Sequence, residues 1–279
     1  MELTKPERTL ANVITALAGF LLACRWHIPF LLLAATLVGT SLVVASACVL
    51  NNYIDRELDT KMPRTKKRVL AVRAMSPRSV LVYAVVLGVI GFAVLWLYVS
   101  MLVVILGAIA YFDYIVLYGY SKRHSVHSTL IGTVSGAMPI MAGYCAVTGT
   151  IDMAAVLLFF SMVFWQMPHF YAIAIFRMKD YAAGGIPVLP LKKGVYRTKV
   201  QMLCYMLAFI FSALLLRRNG YVGTIYTVVI AAVGVLWMWR GVRGFNVDND
   251  VAWARHMFFY SLKALMIFSV MVAIGSILP

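Results

Sequence analysis

Asn51-Asn52-Tyr53-Ile54-Asp55-Arg56-Glu57-Leu58-Asp59 closes an apolar run that extends over residues 28–50, and a basic run ending near Arg78 follows it. The apolar run is long enough for a membrane-spanning helix, which needs about 20 such residues. The polar stretch carries three of the ten acidic residues of the chain. Asn51, Asp55 and Asp59 are spaced by four, and each such step turns a helix by only about 40°, so one helix face would present all three. Two carboxylates and an amide at the mouth of a membrane helix are an oxygen-donor set suited to a hard cation. Mg²⁺ takes one or two carboxylates and fills its remaining positions with water and substrate phosphates. The alternative is a solvated helix end whose charges pair with nearby Arg and Lys.

The rest of the chain agrees with a membrane setting. Of 279 residues 63% are hydrophobic and 13% charged, with mean hydropathy +0.88. That composition excludes a soluble domain and predicts an all-α polytopic membrane protein. Nine apolar segments meet the length rule: 10–24, 28–50, 79–99, 101–119, 126–148, 153–175, 199–216, 221–239 and 257–278. The first lacks a small-residue cleavage site and reads as a retained helix rather than a signal peptide. With a cytoplasmic N-terminus, 21 of the 25 basic residues fall on the inside, as the positive-inside rule requires. The formal charge of +15 then reflects topology and the lipid surface, not nucleic acid. No linker is visible, so residues 1–279 form one bundle, and the long inside connections, 51–78 and 176–198, are expected to meet at one cavity. The four cysteines lie in apolar segments and read as buried packing residues.

Four further constellations can carry chemistry. Lys61 to Arg68 supplies Arg64 and Arg68, whose guanidinium forks suit phosphate oxygens, or else a basic loop lying on anionic lipid. Tyr118, Tyr120, Lys122 and Arg123 close the fourth segment, with His124 and His127 after them; composition favours an interfacial aromatic belt. Trp165 and His169 share a face at i, i+4 beside Pro168, and an imidazole at membrane depth can ligate iron, hold a proton or hydrogen-bond a neighbouring helix. Asp180 can complete a second metal site facing Asp55 and Asp59, or pair with Arg177 or Lys179. Gly132 to Pro139 reads chiefly as close helix packing. Asp113 is an intramembrane acid with no evident partner.

Taken together, these residues resemble the UbiA superfamily of intramembrane prenyltransferases. The resemblance runs through Asn51-x-x-x-Asp55-x-x-x-Asp59-x-x-Met62-x-Arg64-Thr65-x-x-Arg68, Ser121-Lys122-Arg123-His124-Ser125 and Gly132 to Gly143. It continues through Trp165-x-x-Pro168-His169-Phe170 and Asp180-Tyr181 to Pro190. Pro168-His169-Phe170 and a single acid at Asp180, where a second DxxxD is usual, resemble the haem-modifying branch more than those acting on hydroxybenzoate or naphthoate. Val69, Gln166, Met167 and Ile140 depart from that branch and leave the acidic and basic positions untouched. The resemblance implies farnesyl transfer from farnesyl diphosphate to a vinyl group of haem b, with hydration. It implies Mg²⁺ at Asp55 and Asp59, aided by Asn51 and Asp180, and phosphate charge shared by Arg64, Arg68, Lys122 and Arg123. Trp165, Phe170 and Tyr171 would shield cations, and His169 would touch haem, with His124 and His127 as alternatives. It further implies a multi-pass protein of the cell inner membrane with its active site toward the cytoplasm, and a haem A synthase or terminal oxidase as partner. The alternative is prenylation of an aromatic quinone precursor. A transporter fits less well, because the polar residues cluster at the inside ends instead of following a through-path.

Overall fold

A computed structural model describes residues 2–63, 65–72 and 75–279, residue 2 by its backbone, and no strand occurs among them. Among the described residues nine helices are long and apolar enough to cross a membrane: α1 (Pro6–Cys24), α2 (Phe30–Lys61), α3 (Pro77–Tyr98), α4 (Met101–His124), α5 (Ser128–Thr148), α6 (Met153–Phe176), α7 (Val195–Arg218), α8 (Thr224–Asn246) and α9 (Asp250–Gly275). The chain is an all-helical, multi-pass membrane protein. Each helix packs on the next, and α9 returns to α1, so the nine close into a ring. Inside the ring α1 crosses α5, and α6 also packs on α9.

Small residues decide how the α1–α5 crossing works. A Cβ at Gly19 would collide with the Ile140 carbonyl, and one at Gly143 with the Ala16 carbonyl. Two glycines thus let the backbones touch, as small residues do where lipid provides no hydrophobic drive between helices. The contact lies in the second half of α1, which holds all of that helix's buried residues, from Thr15 to Cys24. Nearly all buried residues of α5 lie in its second half, from Ala137 to Ala146. The first halves of both helices hold few of their buried residues.

Several expected boundaries shift. The second segment does not stop at 50: α2 runs unbroken to Lys61 and carries the polar stretch on its last turns. Met62 is extended, as befits a residue before Pro63, and this ends the helix. α1 starts at Pro6, α7 at Val195 and α9 at Asp250, each earlier than hydropathy alone placed them. Connection 176–198 is not one irregular loop, since it contains short helices Met178–Ala183 and Leu189–Lys193. Gly185 between them has φ +68°, a conformation open to glycine and costly to other residues. Connections 51–78 and 176–198 do meet, with Met62 packed in one apolar cluster with Ala174, Ile186 and Val188. Of the cysteines Cys24, Cys48 and Cys145 are buried, whereas Cys204 is exposed, because its position on α7 faces away from the bundle.

Candidate active site

The site is built on the last three turns of α2. Asn51, Asp55 and Asp59 are all buried, Asp59 at 3% exposure, and their four-residue spacing puts them on one face. The loop after α2 folds back on that face. Arg68 Nη1 donates to both carboxylate oxygens of Asp59 at 2.8 Å, and the Thr65 hydroxyl donates to the Asp59 carbonyl at 3.0 Å. Leu70 anchors this return among Val49, Val80 and Ala84. Arg64 lies outside the described residues.

Asp55 looks across to the end of α4. Lys122 pairs with it as an ion, and Arg123 Nη2 stands 3.7 Å from the same oxygen while donating to the Ile54 carbonyl at 3.1 Å. Asn51 Oδ1 accepts from Lys5 Nζ at 3.1 Å and from the Tyr114 hydroxyl at 3.3 Å, and Arg8 Nη1 donates to that hydroxyl at 3.2 Å. Asn52 Nδ2 fixes the chain start through the Leu3 carbonyl at 2.9 Å. Tyr114 stacks on Tyr118, and Lys122 Nζ lies 5.5 Å over the Tyr118 ring. Tyr118 therefore turns inward rather than into an interfacial belt, while Tyr120 and His124 stack on the outer side.

Arg8 is exposed on the first turn of α1. Beside these groups Leu3, Asn52, Asp59, Arg68, Val69 and Leu70 line the wall of a small cleft of about 20 Å³, the candidate chamber. Around that wall Asn51 Nδ2, Asn52 Oδ1, Asp55 Oδ1 and Lys122 Nζ are buried without a hydrogen-bond partner, the last two being paired only as ions. A buried polar atom left unbonded costs about 1–3 kcal/mol. Two of these, Asn51 Nδ2 and Asn52 Oδ1, have no partner of either kind and leave hydrogen-bonding capacity that a polar ligand would complete.

The donor set tells what kind of metal fits. Among the described residues no three His, Cys, Asp or Glu side chains form a metal-sized group. Asp180 does not join Asp55 and Asp59 there: on its short helix it sits 3.7 Å from Arg177, one turn earlier. Two carboxylates on one helix face are too few for a resident ion. They suit a Mg²⁺ that arrives with phosphate oxygens to complete its shell.

The residues expected at the acceptor divide between two faces of α6. Trp165 and His169 stack with ring centres 5.0 Å apart and both reach Ser261 of α9, Trp165 Nε1 to its carbonyl and His169 Nδ1 to its hydroxyl, each at 2.8 Å. Tyr171 points instead to α7, its hydroxyl donating to Gln201 at 2.8 Å. His124 Nδ1 donates to the Tyr120 carbonyl at 2.9 Å, and His124, like His127, is exposed. Asp113 has its partner: Oδ2 accepts the Ser135 N–H at 3.1 Å, from a π turn in α4.

The sequence profile of the UbiA prenyltransferase family matches residues 12–262. The chain belongs to the UbiA prenyltransferase family. Relatives named protoheme IX farnesyltransferase from Klebsiella pneumoniae and Salmonella typhimurium are each 48% identical to it, across 100% of this chain and 95% of theirs. Among solved structures, a digeranylgeranylglyceryl phosphate synthase superposes with TM-score 0.83 at 18% identity, covering 99% of this chain and 96% of that one. A UbiA homologue from Archaeoglobus fulgidus, solved with GPP and Mg²⁺, superposes with TM-score 0.72 at 12% identity, covering 97% and 98%.

In this UbiA member the groups that sequence reasoning missed come from far along the chain. Lys5 meets Asn51 across 46 positions and Arg8 meets Tyr114 across 106. No sequence signal marked them, since both precede the first apolar segment at 10–24 and only the start of α1 at Pro6 takes Arg8 into the helix. Burial, and secondly the nearby Arg8, push the Lys5 ammonium down to about 7. From that pH up to the ordinary lysine range, the unfolded chain holds a proton that the folded chain has released, so stability rises with pH across the window. Lys5→Met is expected to flatten the rise in melting temperature between about pH 7 and 9. An unchanged slope would show that Lys5 stays charged there.

Proposed function

We propose that the chamber transfers the farnesyl group of farnesyl diphosphate to a vinyl group of haem b, adds water to the product and releases diphosphate. The observation that carries this reading is the buried face of Asn51, Asp55 and Asp59, each acid already held by protein cations. The names of the 48% identical relatives support haem as acceptor. We place the mouth of the chamber toward the cytoplasm and the protein in the cell inner membrane, on the distribution of Arg and Lys. Haem A synthase or a terminal oxidase is the partner class that would consume the product.

When bound with the donor, Mg²⁺ supplies charge stabilisation to the departing diphosphate. Asp55 and Asp59 would hold that ion, with Asn51 fixing Asp55's side of the site. Arg68, Lys122 and Arg123 turn from the carboxylates to the phosphate oxygens. Their charge helps most as the bond from farnesyl C1 to oxygen breaks and the pair of electrons leaves with diphosphate. The vinyl terminal carbon then bonds to C1, and the cation left beside the macrocycle takes hydroxide from water, releasing a proton. Ring faces of Tyr118, Trp165 and Phe170 stabilise positive charge without competing as nucleophiles.

A membrane assay for the farnesylated haem tests the reading, with product expected only when Mg²⁺ is present and lost on chelation. His169 tests the acceptor side. His169→Ala is expected to raise KM for haem about tenfold with little change in KM for the donor, because one aromatic and polar contact is lost. Equal kinetics for both substrates would confine His169 to joining α6 and α9.

A further inference from the structure

The inside ends of α8 and α9 enclose a groove of about 320 Å³ lined by Trp239, Arg240, Arg243, Trp253, His256 and Met257. None of these residues belongs to the chamber. Arg240 and Arg243 are three apart and share a face of α8. Neither has a carboxylate within 4 Å among the described residues, and Asp250 at the start of α9 is taken by Lys199. Each guanidinium is instead laid on an aromatic ring, Arg243 over Trp239 at 4.1 Å and Arg240 over Tyr260 at 4.8 Å. Stacking of that kind fixes the plane of the fork and leaves its N–H edge free for an anion. Trp253 braces the wall by donating to the Arg240 carbonyl at 3.1 Å.

The groove continues into an apolar strip. Val235, Leu236 and Val242 of α8 and Phe259 of α9 are all exposed on the outward surface. Two unpaired guanidiniums on the water side and exposed aliphatic groups on the bilayer side call for an amphipathic anion. Basic pockets between membrane helices take lipid headgroups by this combination. We propose that the groove holds the phosphate of an anionic glycerophospholipid, with its acyl chains along the α8–α9 strip. The Arg forks bind the phosphate oxygens, and the Trp239 ring sits at headgroup level, where amphipathic rings are stable. A free phosphate would gain nothing from the strip, and an uncharged headgroup nothing from the second arginine.

Native mass spectrometry of the full-length protein in detergent, titrated with phosphatidylglycerol, phosphatidylcholine or inorganic phosphate, tests this. Phosphatidylglycerol is expected to bind in preference to phosphatidylcholine. The double substitution Arg240→Gln with Arg243→Gln is expected to weaken it about tenfold, the loss of roughly one charged hydrogen-bond pair. Lys in both positions should fall between, since it supplies charge without the fork. Lys192→Gln with Lys193→Gln, an exposed basic pair on the same side, should bind as the parent does. Melting curves of every variant in the same detergent separate lost binding from lost folding. Equal retention of phosphatidylglycerol by the Gln pair and the parent would overturn the proposal. So would equal affinity for phosphatidylcholine, or displacement of the lipid by millimolar phosphate or by haem.

Discussion

Asp59→Asn is expected to lower the rate of prenyl transfer by about a thousandfold, with the loss in kcat more than in KM for the donor. Asn keeps the shape and one acceptor oxygen and removes the charge. The reason for a kcat effect is timing. The donor's phosphates are already anionic in the ground state, but the bridging oxygen gains its negative charge only as the C1–O bond breaks. A group that helps hold a cation against that oxygen is felt most at the transition state. The released partner does little harm, because Arg68 is partly exposed and hydrates once Asp59 is neutral. Folding should survive, and circular dichroism and melting curves check that it does. Asp55→Asn should cost a similar amount in rate and also lower the melting temperature, since it leaves the buried Lys122 without its counter-ion. Adding Lys122→Met to Asp55→Asn should restore the melting temperature and not the rate. Steady-state kinetics with varied donor, at saturating Mg²⁺, measure both parts. Parent-like kcat in Asp59→Asn would remove this carboxylate from the chemistry.

Gly143→Val is expected to prevent accumulation of the folded protein. A side chain at 143 meets the Ala16 carbonyl, main-chain atoms on a helix that has no room to retreat, because α1 is wedged between α5 and α9. Overpacking alone costs about 1–3 kcal/mol, and here the obstacle is backbone, so the helices must part and the loss lies at or beyond the upper end. Gly149→Ala provides the contrast. Nothing lies within 4 Å of a Cβ there, and only the positive φ of +68° resists the change. Size-exclusion profiles and melting temperatures in one detergent should rank parent, Gly149→Ala and Gly143→Val in that order. A monodisperse Gly143→Val with parent-like stability would show that the crossing is loose.

Much of this was readable from the chain because two simple signals are local. Apolar length counts spans, and the period of 3.6 places Asn51, Asp55 and Asp59 on one face whatever the tertiary structure. The helix boundaries were harder, since hydropathy marks the lipid-facing length and α2 continues past it into polar surroundings. Direction across the bundle was not readable. Tyr118 and Tyr120 are two residues apart with the same chemistry, yet one faces the chamber and the other the outside; only the packing of α4 on α5 settles which. Cys204 looked like its three buried counterparts for the same reason. Lys5 and Arg8 joined the site because α1 begins at Pro6, ahead of its apolar run, and its start lies against Asn51 and Tyr114. Asp180 could face either way on sequence, and a short helix gave its carboxylate to Arg177.

The most direct test is a competition. The purified full-length protein in detergent, with Mg²⁺ and farnesyl diphosphate labelled in the farnesyl chain, receives equimolar haem b and 4-hydroxybenzoate, and both are analysed by mass and label. The chamber described here predicts label in a haem that has gained one farnesyl group and one water, with unmodified hydroxybenzoate. Label in hydroxybenzoate with haem unchanged would contradict it.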